Sequence, residues 1–80
     1  MNNQKSTSLR DRLLTLIRTT KDTRELLNIV PTFTVRTQAA ITFAVSRKQI
    51  DKAAKSLEEE GLIRIGDTMS DKYYELITNQ

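Results

Sequence analysis

Residues 46–60 read SRKQIDKAAKSLEEE, and this stretch decides the fold. Ser46 followed by Gln49 has the S-x-x-Q form of a capping box, in which each side chain satisfies the other residue's backbone N–H. Ile50, Ala53, Ala54 and Leu57 then repeat at i, i+3, i+4 and i+7, which is one apolar face of a helix. Gly61 supplies the left-handed residue that ends it. The charges run the wrong way along this helix. Arg47, Lys48 and Lys52 lie near its N-terminus, where the macrodipole is already positive, and Glu58, Glu59 and Glu60 fill its last turn, where it is negative. Each misplaced charge costs about 0.3–1 kcal/mol at low ionic strength, on the order of 1–3 kcal/mol in all. A helix that tolerates this order has a use for positive charge at its front, and the commonest such use is insertion of that end against a polyanion.

The pattern extends outward on both sides. Residues 35–44 read as a preceding helix, with Thr34 as N-cap and Ala39, Ala40 and Phe43 inward, and Val45 and Ser46 form the turn between the two. Residues 32–34 are a short extended piece anchored by Phe33. The first helix begins at Ser8, with Ser8 or Thr7 as N-cap, and its buried stripe is Leu9, Leu13, Leu16 and Ile17, with Leu14 on the flank. The TTKDT stretch at 19–23 interrupts that helix, Asp22 caps a short second segment over 23–29, and Pro31 stops it. Downstream of Gly61, residues 62–65 and 72–77 are strand-like and flank a polar turn, GDTMSD. Tyr73 and Tyr74 alternate in the last strand, so one belongs to the core and the other is exposed. The expected class is α+β, mainly α: a winged helix-turn-helix with three main helices, a short extra helix at about 23–29 and a two-stranded C-terminal wing. Residues 1–7 are polar and read as a disordered tail, which leaves 8–80 as a single winged-helix domain.

Composition narrows the function. Eighty residues make one small domain with a modest core. The net charge is +3 and the pI about 9.5, a mild excess that attracts phosphate weakly. Its distribution says more. Residues 34–56 carry five cations (Arg36, Arg47, Lys48, Lys52, Lys55) against Asp51 alone, whereas 64–80 carry two cations against three acids. Cysteine and histidine are absent, which removes disulfides, the usual zinc ligand sets and the usual neutral-pH general base. The carboxylates form no recognisable acid/base pair, there is no P-loop, and no hydroxyl has a base partner, so the chain reads as no enzyme and as needing no metal or cofactor. No apolar run approaches membrane-spanning length and the N-terminus lacks a signal-peptide core, so a cytoplasmic protein is expected.

On a helical wheel the apolar side chains of 46–60 fall within about 100° of arc. The outermost line opposite reads Lys48, Lys52, Lys55 and then Glu59. Entering a major groove by its front half, such a helix brings three lysines near phosphates and base edges while its acidic last turn tilts away. Asp51 is the exception among the lysines. It either accepts from a cytosine amino group, orients Arg47 or Lys55, or simply pairs with Lys55 at i+4. Gln49 either serves the capping box or joins the contact surface.

Residues 45–63, VSRKQIDKAAKSLEEEGLI, resemble the recognition-helix segment of the GntR family of bacterial repressors, V-S-R-x-T-V-R-x-A-L, two residues, L, three residues, G-L-I. Val45, Ser46, Arg47, Ala53, Leu57, Gly61, Leu62 and Ile63 match in register, and Ile50 replaces a valine. The resemblance, which with the upstream helix covers about half the chain, implies that Ser46 and Arg47 contact phosphates and that Arg36, with Thr34 beside it, approaches the duplex from the preceding helix. Three departures stand out. Asp51 stands where the family carries arginine, and Ala44 replaces the usual glycine near the turn. GDTMSD lacks a glycine-rich basic tip, so only Arg64 and Lys72 remain as phosphate contacts in the wing. The family's ligand-binding domain has no counterpart here, and no small-molecule effector is expected.

These readings converge on a sequence-specific double-stranded DNA-binding protein, a small transcriptional regulator of the repressor kind. A homodimer is expected because one recognition helix binds weakly at physiological salt and paired half-sites raise affinity and specificity together. Leu14, Leu26, Leu27 and Ile29, with Ile41, exceed what so small a core needs, and the first four are the expected dimer interface. The alternative is a winged-helix protein-interaction module in replication, partition or polymerase regulation, its acidic wing and glutamate-rich helix end meeting a basic partner.

Overall fold

The computed structural model describes residues 8–78, so the tail expected over 1–7 lies outside the described residues. The chain is an α+β domain of three helices and a three-stranded antiparallel sheet: α1 (Leu9–Leu26), β1 (Thr34–Val35), α2 (Arg36–Phe43), α3 (Arg47–Glu59), β2 (Ile63–Asp67) and β3 (Lys72–Leu76). The sheet order is β1-β3-β2. Among the described residues no helix is long and apolar enough to cross a membrane.

Helix α1 starts as expected, with the Ser8 hydroxyl accepting from the Asp11 N–H at 3.2 Å. It then runs straight through TTKDT, so there is no separate helix over 23–29 and Asp22 caps nothing. Threonine costs a helix no more than about 0.7 kcal/mol relative to alanine. Packing of Leu13 and Ile17 into the core and the Lys21–Glu25 ion pair at 2.6 Å outweigh that. The helix ends at a left-handed Asn28 (φ 60). There the Asn28 N–H donates to the Glu25 carbonyl at 3.2 Å and the Ile29 N–H to the Arg24 carbonyl at 2.8 Å, a Schellman motif that closes the helix before Pro31 is reached.

Thr34 is not the N-cap of α2. It belongs to β1, pairs with Tyr74 across to β3, and is 3% exposed. The N-cap is Val35, which has no side-chain oxygen to offer. A two-residue strand carries no alternation of its own, and its pairing partner comes forty residues later, so the expected two-stranded wing is a three-stranded sheet.

Helix α3 is built as its sequence implies. Both arms of the Ser46/Gln49 capping box form, and Ile50, Ala53, Ala54 and Leu57 are buried. Gly61, at φ 78, ends it with a second Schellman motif in which the Leu62 N–H reaches the Leu57 carbonyl at 3.1 Å. That core face meets Leu13, Ile17, Ala39, Ile63 and Tyr74 in one cluster. Tyr74 is the core tyrosine. Tyr73 is half-buried instead of exposed, stacked on Phe33 at 4.4 Å between centroids and lying over Gly66, where any side chain would collide with its ring. Leu14 packs against the core cluster, so it is not part of a free surface.

Candidate nucleic-acid interface

Because the apolar stripe of α3 is pinned to the core, its opposite face is presented outward. Arg47, Lys48, Gln49, Lys52 and Lys55 are all exposed on it. None of its four cations forms an ion pair with any described residue, whereas Arg10, Lys21, Arg36, Arg64 and Lys72 all do. On one flank α3 and the hairpin enclose a groove of ≈ 350 Å³ lined by Asp51, Lys55, Glu58, Ile65, Lys72 and Tyr74. On the other, Gln49, Lys52 and Ser56 border the start of α1 at Ser8 and Arg10. Arg10 also pairs with Glu60, which anchors the acidic end of α3 to α1.

Two of the outward polar groups are occupied locally. The Ser46 hydroxyl accepts from the Gln49 N–H at 3.1 Å, and the Gln49 Oε1 accepts from the Ser46 N–H at 3.0 Å. Gln49 thus keeps only its amide N–H groups available.

Arg36, expected to approach the duplex from α2, faces inward. Its Nη1 donates to both Asp51 oxygens at 3.1 and 3.0 Å, and its Nε to Asp71 Oδ1 at 2.9 Å. Asp51 therefore takes neither Arg47 nor Lys55 as partner. The Tyr74 hydroxyl, whose pKa burial and then the nearby Asp51 charge push well upward, points at Asp51 Oδ1 from 3.5 Å. Asp71 has a second task. Its Oδ2 accepts from the Thr37 N–H at 2.8 Å and the Thr37 hydroxyl at 2.6 Å, which gives α2 the cap that Val35 lacks. Burial raises the Asp71 pKa, but the Thr37 hydroxyl and N–H, the Lys72 N–H and Arg36 together hold it down at about 2.

The hairpin offers little to an anion. Arg64 pairs with Glu75 at 2.6 Å and Lys72 with Asp67 at 2.8 Å. Its tip is closed by Thr68, whose N–H donates to the Asp71 carbonyl at 2.7 Å and whose hydroxyl accepts from the Asp71 N–H at 2.8 Å. Sequence reasoning missed the structural roles of Asp71 and Thr37, since they lie 34 positions apart and no local pattern joins them.

Thr34 is enclosed, and its hydroxyl has no hydrogen-bond partner. The structure therefore gathers Ser46, Arg47, Lys48, Gln49, Lys52 and Lys55 on one face, withdraws Thr34 and Arg36, compensates Asp51, and neutralises Arg64 and Lys72. Away from this face, Leu26 and Val30 are 84% and 83% exposed, and Leu27 and Ile29 join them at the end of α1. Among the described residues no three His, Cys, Asp or Glu side chains are placed to hold a metal ion. No family model, curated protein or solved structure matches this chain.

Proposed function

We propose that this domain is a winged helix that binds double-stranded DNA by laying the front half of α3 in the major groove, and that it serves as a small transcriptional regulator, a repressor that occludes a promoter. One observation carries the reading. All four cations of α3 are exposed and without an ionic partner among the described residues, while those of α2 and the hairpin are neutralised within the domain. The order of elements supports it, since a helix-turn-helix followed by a hairpin is the winged-helix arrangement. So does the likeness of residues 45–63 to GntR-family recognition helices.

In this reading Arg47 and Lys55 lie against phosphates, and the hairpin rests near the duplex without gripping it. The experiment is a salt titration of duplex binding. Replacing Arg47 and Lys55 with glutamine weakens binding to every sequence and flattens the slope of log affinity against log salt by about 0.9 per lost contact. An unchanged slope would remove α3 from the interface.

The protein works as a homodimer in this proposal. Leu26, Leu27, Ile29 and Val30 form an exposed apolar surface at the end of α1, and the neighbouring Lys21, Asp22, Arg24 and Glu25 carry both signs. Such a surface is complementary to its own copy across a two-fold axis. Changing Leu27 and Val30 to serine yields a folded monomer that binds a half-site and loses tight binding to a palindrome. Sedimentation of the unaltered chain as a 9.2 kDa species, free and on DNA, would defeat the dimer. The interaction-module alternative keeps one observation in its favour: Glu58 and Glu59 are exposed and unpaired among the described residues. Indifference to duplex at low salt would favour it.

A further inference from the structure

A helix face that reads bases is described by what it can donate and accept. On the front half of α3 each side-chain acceptor already receives a hydrogen bond from within the domain. The two Asp51 oxygens receive the Arg36 guanidinium. The Gln49 carbonyl oxygen receives the Ser46 N–H, and the Ser46 hydroxyl receives the Gln49 N–H. What remains pointing outward are donors: the guanidinium of Arg47, the ammonium groups of Lys48, Lys52 and Lys55, and the amide nitrogen of Gln49. Lys48 is at the centre of the outward arc, and Lys52 stands one turn further along.

We infer that α3 recognises guanine, with Lys48 and Lys52 donating to the N7 and O6 atoms of two guanines in the major groove. This rests on the DNA-binding reading above and names the base that such a face selects. Guanine is the base that presents two adjacent acceptors and no donor there. Adenine sets an amino donor beside N7, cytosine offers an amino donor, and thymine has one acceptor beside a methyl group. An ammonium group meets a second hydrogen bond at guanine and a repelling N–H at adenine or cytosine. The separation of the two lysines is four residues, about 6 Å along the helix. That matches about two base-pair steps of 3.4 Å, so the two guanines fall within about three consecutive base pairs. The sequence alone left a different reader available, since an unpaired Asp51 would accept from cytosine. The Arg36 bridge engages both Asp51 oxygens and offsets the charge that would make Asp51 the leading reader.

The test is selection of bound duplexes from a random library with the full chain, followed by replacement of each enriched guanine with 7-deazaguanine, which lacks the N7 acceptor. The expected result is guanine enrichment at two positions within three base pairs, with affinity falling about tenfold at each on 7-deaza replacement. Lys48→Gln, at an exposed site that carries no packing, is expected to move one of those positions from guanine toward adenine, because a glutamine amide both accepts and donates. A selected pool without enriched guanine overturns the inference while leaving DNA binding in place. So does 7-deaza replacement without effect, or a Lys48→Gln pool identical to the original. A full chain that retains no duplex from the library overturns the DNA reading itself, and this inference with it.

Discussion

Helices α2 and α3 both open with arginine at the first helical position, Arg36 and Arg47, yet the two side chains have opposite fates. The difference lies one residue earlier. Before α3 stands Ser46, whose hydroxyl caps the helix from within, so nothing need be brought in and Arg47 is left outward. Before α2 stands Val35, held in β1 and without an acceptor, so the N–H groups of α2 draw a carboxylate from the hairpin. Asp71 fills that place, and Arg36 turns to meet it and Asp51. A helix that caps itself leaves its cation exposed. A helix capped from a distance gives its cation to the fold.

The strongest way to break this contrast is Asp71→Ala. It removes the acceptor for the Thr37 N–H and hydroxyl and one partner of Arg36 at a site where the Asp71 side chain is 10% and the Arg36 side chain 20% exposed. Breaking a buried pair costs roughly 3–5 kcal/mol, and the residual exposure places the expected loss at about 2–3 kcal/mol, read by urea denaturation. A loss under about 1 kcal/mol would show that water replaces the carboxylate. Acid offers a second route. The Asp71 pKa of about 2 stands below the ordinary 3.8, so its contribution is fully present above about pH 4 and disappears as pH falls through 2. The difference corresponds to about 2 kcal/mol. Asp71→Asn is expected to flatten that part of the stability profile, and an unchanged acid limb would assign it to other carboxylates.

The same contrast explains what was legible in the sequence. The capping box, the buried stripe of α3, Gly61 as its terminus, the two hairpin strands and the outward lysines were all readable, because each depends on residues within one or two turns of one another. β1, the cap on α2 and the partner of Asp51 were not, because Thr34 meets Tyr74, Thr37 meets Asp71 and Arg36 meets Asp51 only after the chain has folded back. The error over 19–23 has a different origin. Helix propensity marks threonines as weak, but the penalty per residue is small, and the packing of Leu13 and Ile17 ahead of that stretch, with the Lys21–Glu25 pair across it, carried the helix through. The inward turn of Arg36 was not legible because the family likeness matches positions in the chain and has no term for the acceptors Asp51 and Asp71.

On the α3 side, Ser46→Ala removes one half of the capping box. Loss of such a cap costs about 1 kcal/mol, less than Asp71→Ala, since the N-terminus of α3 is exposed and its freed N–H turns to water. The loss is expected in thermal unfolding. A cost equal to that of Asp71→Ala would remove the distinction between a local and an imported cap. Duplex affinity should fall with it, because the lysines are then carried on a frayed first turn, and the salt slope should stay unchanged, because no cation has been lost.

The smallest effect concerns the turn that joins the two helices. Ala44 sits at φ 55, closing α2 with the Val45 N–H on the Ala40 carbonyl at 3.1 Å. Asn28 and Gly61 do the same for α1 and α3, and of the three residues alanine is the least suited to the left-handed region. That conformation costs an L-residue about 1–2 kcal/mol, partly offset in a glycine variant by about 0.5–1 kcal/mol of extra unfolded-chain entropy. Ala44→Gly is therefore expected to stabilise the domain by about 0.5–1 kcal/mol. Combined with Asp71→Ala it tests whether the front of α2 and the turn leading to α3 are independent. If the cap on α2 is held by the hairpin alone, the two changes add to within about 0.5 kcal/mol. A larger deviation would mean that the turn transmits the loss of Asp71 to α3, and that the helix carrying the free cations is held in place by the one whose cation is bound.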